Sequence, residues 1–198
     1  MDIKKISANI GSISRVFVAF AAIALLFVQT QNAYILSFVL TAIAFSMDAV
    51  DGYLARKYGQ ASQLGAVLDI MGDRIVEAIY WIAFAVLGWL PIIFPLICVS
   101  RAFVTDGIRS VALTKGMTPF GMQTTEWGKY ICASKFMKTS YAVAKVAAFM
   151  LLIVAFIPGL ADNIATLTYK IAIILSWIAI IFCIVRAVPV VAESGKLF

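Results

Sequence analysis

The sequence contains no histidine, only three cysteines and little charge. Of its 198 residues 13% are Asp, Glu, Lys or Arg, against 63% hydrophobic, and the mean hydropathy is +1.00. The shortage of charge excludes an ordinary soluble domain, which carries about 25% charged and about 45–50% apolar residues. Too little polar sequence remains to cover a core of this size, so the apolar residues are expected to face lipid. Cys98, Cys132 and Cys183 lie far apart in apolar stretches and have no histidine to join them. Neither a zinc site nor a disulfide framework is supported, and the cysteines read as packing residues. There is no sequence repeat and no low-complexity tract. No short apolar region with a small-residue cleavage site follows Met1-Asp2-Ile3-Lys4-Lys5, so the N-terminus is expected to be retained. Sixteen Lys+Arg against ten Asp+Glu give a net charge of +6. In so apolar a chain this excess points to cytoplasmic loops and anionic headgroups, and no nucleic-acid partner is expected.

A spanning helix needs about 20 mainly apolar residues. Six stretches qualify, at 14–29, 33–56, 64–88, 91–114, 131–157 and 167–190. They leave no room for a separate soluble domain, so residues 1–198 are read as one all-α membrane domain with six transmembrane helices. Residues 2–13, with Ile3, Ile6 and Ile10 at helical spacing and Lys4 and Lys5 opposite, predict a short amphipathic interfacial helix before the first span. With both termini cytoplasmic, the outer turns fall near Gln29–Asn32, Gly88–Pro91 and Pro158–Thr168, and Lys170 is the one basic residue close to any of them. That distribution follows the positive-inside rule, and a cell (inner) membrane, with the active site on the cytoplasmic side, is the expected location. The loop at 115–130, with Gly116, Pro119, Gly121 and Gly128, is the longest inner connection.

Ionisable residues within apolar helices are costly, and so mark function. Asp48, Asp51, Asp69, Asp73, Glu77 and Asp106 all fall toward the inner ends of the second, third and fourth spans. Asp48 and Asp51 are three residues apart and Asp69 and Asp73 four, so each pair shares a helix face. The short polar link at 57–63 makes their helices antiparallel neighbours. Four converging carboxylates would repel one another unless a cation sat among them. With no histidine and no paired cysteine, the fitting ion is a hard divalent one, Mg²⁺ or Mn²⁺, of the kind that serves phosphate-bearing substrates. Interhelical salt bridging, for example of Asp73 or Glu77 with Arg74 or of Asp51 with Arg56, is the bland alternative. Gly52, Ala55 and Gly65 put smooth surface beside the acids, and Arg56 is placed to meet a phosphate.

Residues 48–73 read Asp48-Ala-Val-Asp51-Gly52-Tyr-Leu-Ala55-Arg56, eight residues, Gly65, three residues, Asp69, three residues, Asp73. This pattern resembles the full signature of the CDP-alcohol phosphotransferase family, and the resemblance extends over nearly the whole chain. It implies transfer of a substituted phosphate from a CDP-linked alcohol, usually CDP-diacylglycerol, to an acceptor hydroxyl, with release of CMP. It also implies that Asp48, Asp51 and Asp69 ligate metal, that Asp73 ligates metal or acts as base, and that Gly52, Ala55, Arg56 and Gly65 line the nucleotide and diphosphate site. Two metal ions and a homodimer are further implications of the resemblance.

The basic residues bear on the acceptor. Arg101 and Arg109 lie eight apart on the fourth span, Lys129, Lys135 and Lys138 open the fifth, and Arg186 lies near the end of the sixth. This is more positive charge than a neutral alcohol needs, and it suits a small phosphorylated acceptor. For the lysines, positive-inside bias gives a sufficient alternative reason. The stretch Ser100-Arg101-Ala-Phe-Val-Thr-Asp106-Gly107-Ile-Arg109 and the opening Asn9-Ile-Gly-Ser12-Ile-Ser-Arg15 are similar to segments of phosphatidylglycerophosphate synthases. Ala102 stands where an acid usually follows the arginine there. Glycerol 3-phosphate is therefore the expected acceptor and an inositol phosphate its nearest rival. A transporter with intramembrane carboxylates is a reading of another class, but its acids would be spread across the bilayer instead of grouped at one edge.

Overall fold

The computed structural model describes residues 3–57, 63–114 and 123–197, with side chains at 13–47, 67–114, 123–132 and 134–195. Seven α-helices and a closing 3₁₀ turn account for most of them: α1 (Ile3–Leu26), α2 (Gln31–Lys57), α3 (Gln63–Val86), α4 (Ile93–Thr114), α5 (Glu126–Ala133), α6 (Lys135–Ala155), α7 (Asp162–Ala192) and the turn Ser194–Leu197. There is no strand among the described residues, as the unbroken apolar runs predict.

Three boundaries differ from the sequence reading. The amphipathic lead-in is not a separate element; it continues into the first span as one helix, α1. Nothing between Ile10 and Phe17 interrupts helical hydrogen bonding, because Gly11 and Ser12 are tolerated inside a helix that has tertiary partners. The fifth span is divided at Ser134, whose φ of −56° and ψ of 134° leave the helical region. Its N–H donates to Tyr130 O at 3.1 Å, ending α5, and its hydroxyl accepts from Met137 N at 3.5 Å, opening α6. The last helix begins at Asp162, several residues before the expected 167. Gly159, at φ 87°, completes the turn, and the Asp162 carboxylate suits a helix N-terminus.

The helices close a ring in space. α1 packs on α2 and α3, α3 on α4, α4 on α7, α7 on α6 and α6 on α2, while α5 lies across α6 and α7. At one end, where the short turns 27–30, 87–92 and 156–161 lie, the interior is aromatic. Trp81 stacks on Phe94 at 5.6 Å and meets the edge of Phe149 at 4.7 Å, Tyr80 stacks on Phe149 at 5.2 Å, and Trp89 on Phe156 at 4.4 Å. Thr41 and Tyr80 share a hydroxyl hydrogen bond of 2.8 Å that ties α2 to α3. The opposite end holds the charges. Arg15, Glu77, Arg101, Lys145 and Glu193 are buried, whereas Phe17, Val86, Phe103 and Phe136 are exposed to the outside.

Candidate active site

Six of the positions singled out from the sequence, Asp48, Asp51, Gly52, Ala55, Arg56 and Gly65, fall within the bounds of α2 and α3 but outside the residues whose side chains are described. The other half of the aspartate motif is defined. Asp69 and Asp73 stand one turn apart on α3, and their side chains are 49% and 51% exposed, so both carboxylates are open to a ligand. Beneath them the nearly buried Arg15 of α1 reaches both. Its Nη1 lies 3.0 Å from Asp73 Oδ1, its Nη2 lies 3.5 Å from Asp69 Oδ1, and Nη2 also donates to the Asp69 carbonyl at 3.3 Å. Two half-exposed carboxylates one turn apart offer oxygen donors of the kind that match Mg²⁺ or Mn²⁺.

Arg74, the next residue along α3, points into a second cluster. Its Nε lies 3.3 Å from Asp106 Oδ2, and Arg109 Nη1 lies 3.4 Å from Asp106 Oδ1, so Asp106 is held between two guanidinium groups. Arg74 also stands 3.8 Å from Glu77 Oε2. Glu77 is the hub. Its Oε2 accepts from Lys145 Nζ at 3.3 Å, and its Oε1 accepts from the Tyr141 hydroxyl and from the Cys98 thiol, the latter at 3.3 Å. Lys145 and Arg186 both lie over the Tyr141 ring, at 5.1 and 5.5 Å from its centroid.

This cluster is positively charged overall. Arg74, Arg101, Arg109, Lys145 and Arg186 gather around the two carboxylates Glu77 and Asp106. Arg101 Nε and Nη1 and Arg186 Nε are buried donors with no hydrogen-bond partner among the described residues. Buried donors left in this way call for an acceptor, and an oxyanion is the acceptor that guanidinium groups bind best. Lys138 is half-buried within electrostatic reach of Arg109 and Arg186, while Lys129 and Lys135 are exposed. The structure thus brings Arg101, Arg109 and Lys138 together and leaves Lys129 and Lys135 at the surface.

Sequence reasoning missed Arg15, Tyr141 and Lys145 as site residues. Lys145 carried a usable signal, since a lysine inside the apolar run of α6 must have a counter-charge. The cysteines also prove closer than their spacing suggests. Among the described residues, the ligand-type atoms of Glu77, Cys98 and Cys183 lie within 4.8 Å of one another. This group does not fit a cation, because both oxygens of Glu77 are engaged and Lys145, Arg101 and Arg74 already surround it with positive charge.

Of the long connection at 115–130, residues 115–122, with Gly116, Pro119 and Gly121, lie outside the described residues, and Thr124 and Thr125, just before α5, are held by Glu193 at the C-cap of α7. Glu193 is buried, yet its Oε2 accepts from Thr124 N at 2.6 Å, from the Thr124 hydroxyl at 3.1 Å and from Thr125 N at 3.4 Å, while its Oε1 accepts from the Thr125 hydroxyl. Burial pushes the Glu193 carboxyl up, but the hydrogen bonds from Thr125 and Thr124 outweigh it and hold its pKa at about 2. Thr125 in turn caps α5 by accepting from Gly128 N at 3.3 Å. Glycine at 128 makes room for this clasp, since a Cβ there would push the Glu193 carboxylate and the Thr125 hydroxyl from their places.

Comparison with known proteins identifies the family. The family model described as CDP-alcohol phosphatidyltransferase matches residues 5–191. The chain is 28% identical over 129 residues to a CDP-diacylglycerol--glycerol-3-phosphate 3-phosphatidyltransferase of Mycoplasma genitalium, covering 57% of this chain and 55% of that protein. It is 29% identical over 120 residues to the enzyme of the same name from Rickettsia prowazekii, covering 60% and 66%. It is also 31% identical over 93 residues to an archaetidylinositol phosphate synthase of Aeropyrum pernix, covering 47% of each. The chain thus spans about half the length of the first of these relatives, 55%. With the family model covering nearly every residue, including the aspartate motif, the chain belongs to the CDP-alcohol phosphatidyltransferase family.

Proposed function

We propose that this chain is an integral membrane enzyme that moves a phosphatidyl group from CDP-diacylglycerol, or its ether-lipid counterpart, to the hydroxyl of glycerol 3-phosphate, releasing CMP. The observation that carries the proposal is a change of character between neighbours on α3. Asp73 belongs to an open carboxylate pair, and Arg74 belongs to a buried cluster with cations in excess and donors unmet. A reaction that joins a metal-bound diphosphate to a phosphorylated alcohol needs these two environments side by side.

In this reading Asp48, Asp51, Asp69 and Asp73 hold two Mg²⁺ or Mn²⁺ ions, which would neutralise charge on the diphosphate and the departing CMP. Gly52, Ala55, Arg56 and Gly65 line the nucleotide side. Arg101 and Arg109, with Arg186, hold the acceptor phosphate, and Lys138, Lys129 and Lys135 add positive charge toward the entrance. Asp73 takes the proton of the acceptor hydroxyl as that oxygen bonds to the lipid-side phosphorus, and the phosphoanhydride bond to CMP breaks. No residue of the chain needs to carry a covalent intermediate.

A membrane setting is supported by the inverted distribution of polarity. Among the described residues two stretches, Glu126–Ala155, made of α5 and α6, and Asp162–Ala192, are long and apolar enough to cross a bilayer, and most of the apolar length of each is left unburied. The basic residues at the charged end favour a cytoplasmic active site and cytoplasmic termini in a cell membrane. A homodimer is the assembly expected from the family.

The test is CMP release and lipid product mass from purified protein with CDP-diacylglycerol and Mg²⁺, with glycerol 3-phosphate, inositol phosphate, serine or no acceptor offered in parallel. Product with glycerol 3-phosphate alone is the expected outcome. Inositol phosphate is the second reading, favoured by the match to the Aeropyrum pernix protein, and product with it alone would replace the first. No CMP release with any acceptor from folded protein would overturn both.

A further inference from the structure

Arg15 is the feature the proposed reaction leaves without a role. It sits on α1, its side chain 3% exposed, and spends its guanidinium on Asp69 and Asp73, 3.5 and 3.0 Å away. A buried ion pair is retained at a cost, because both groups lose hydration that their attraction only partly returns. Here the cost is uneven. The arginine is sequestered, whereas the carboxylates are half-exposed and remain open to a second cation from the solvent side. Arginine cannot be discharged at any physiological pH, so its charge is permanent.

We infer that Arg15 is the resident counter-ion of the aspartate site, and that it deliberately weakens divalent-metal binding by Asp69 and Asp73. The inference rests on the proposed role of those aspartates as metal ligands. Without metal, the guanidinium relieves the repulsion between two carboxylates one turn apart and keeps them in place. When a divalent cation arrives, the same guanidinium is a like charge a few ångströms away and competes for the same oxygens. Metal held against this opposition binds firmly only when further negative charge is added, and the diphosphate of the donor supplies it. By linkage, metal and donor then each tighten the binding of the other. The site stays ordered while empty and holds its metal strongly only when loaded with donor.

The experiment is a titration of the purified full chain with Mn²⁺, followed by electron paramagnetic resonance of the free ion and, in parallel, by thermal unfolding. Arg15→Gln is expected to bind Mn²⁺ about tenfold more tightly than the parent, in the absence of any donor, as loss of one nearby charge predicts. The same variant without metal should unfold at a lower temperature and recover more on adding Mn²⁺. Arg15→Lys, which keeps the charge, should stay within about twofold of the parent affinity. If Arg15→Gln does not fold, Arg15→Met keeps the packed stem, drops the charge and carries the same expectation. Unchanged or weaker Mn²⁺ binding by the uncharged variant would overturn the inference. Asp69→Asn separates it from the underlying reading: Mn²⁺ binding that this change leaves untouched would remove the metal role of the aspartates, and the counter-ion role with it.

Discussion

Helix α3 has two halves that treat polarity in opposite ways. Its first half carries Asp69, Asp73 and Arg74, with Glu77 about one turn further on, each engaged with a charged group on another helix or on its own. Its second half carries Tyr80, Trp81 and Phe84, buried against the rings of Phe94, Phe149 and Trp89. Aromatic packing tolerates no vacancy but has little electrostatic reach, so that end can be rigid without affecting chemistry. The charged end gains nothing from density and depends on balance. The comparison teaches that one helix can anchor the bundle with half its length and present the reactive groups with the other.

Single substitutions should separate the halves, and the largest effect is expected at Asp73. Asp73→Asn removes a proton acceptor at nearly constant shape, and turnover should fall by at least about 10³-fold with the unfolding temperature retained. Parent-like turnover by a pure preparation would cancel the role of Asp73 as base. Glu77→Gln strands Lys145, Arg74 and Arg101 without their shared counter-charge, and the expected loss is about 3–5 kcal/mol of stability, read by denaturant titration in a lipid-mimetic micelle. Phe149→Ala, in the aromatic half, should cost a comparable ~3–5 kcal/mol while leaving both Michaelis constants where they were. A shift in acceptor KM there would mean that the halves are coupled.

Smaller effects sharpen the picture. Arg109→Ala should raise the KM for the phosphorylated acceptor about tenfold, with the KM for CDP-lipid nearly unchanged. An equal loss for both substrates would point to general damage. The mildest effect is a pH dependence at Glu193. Its pKa is depressed from the ordinary 4.5 to about 2 in the folded chain, so the unfolded chain binds the proton more readily. The stabilisation it provides is complete above pH about 4.5 and is lost as pH falls toward about 2. The gap in unfolding temperature between the parent and Glu193→Gln should therefore close between pH 5 and the most acidic pH tolerated, within about 2 to 5.

The helical architecture was legible because hydropathy alone marks long apolar segments, and the ends of α2, α3 and α4 fall within a few residues of where it places them. The division at Ser134 escaped because the apolar run continues through it, although serine is a known helix start signal. In the site, the pairing of Asp69 and Asp73 on one helix face followed from their spacing. Their partner did not. Arg15 lies 54 residues from Asp69, and Lys145 lies 68 from Glu77, so neither contact has a local trace. A charge in an apolar helix announces that it needs a partner without saying which.

The Glu193 clasp bears on the order in which the molecule is made. Thr124 and Thr125 are translated well before the carboxylate that holds them, and α7, which supplies Arg186 and packs on α4, α5 and α6, is translated after all three of those helices. A nascent chain interrupted before residue 186 already carries every aspartate of the motif, yet lacks one wall of the basic cluster and the latch on its inner connection. Under the proposed function, such a fragment would carry the donor side of the site without the full acceptor side. Translation of α7 is thus the step that completes the basic cluster.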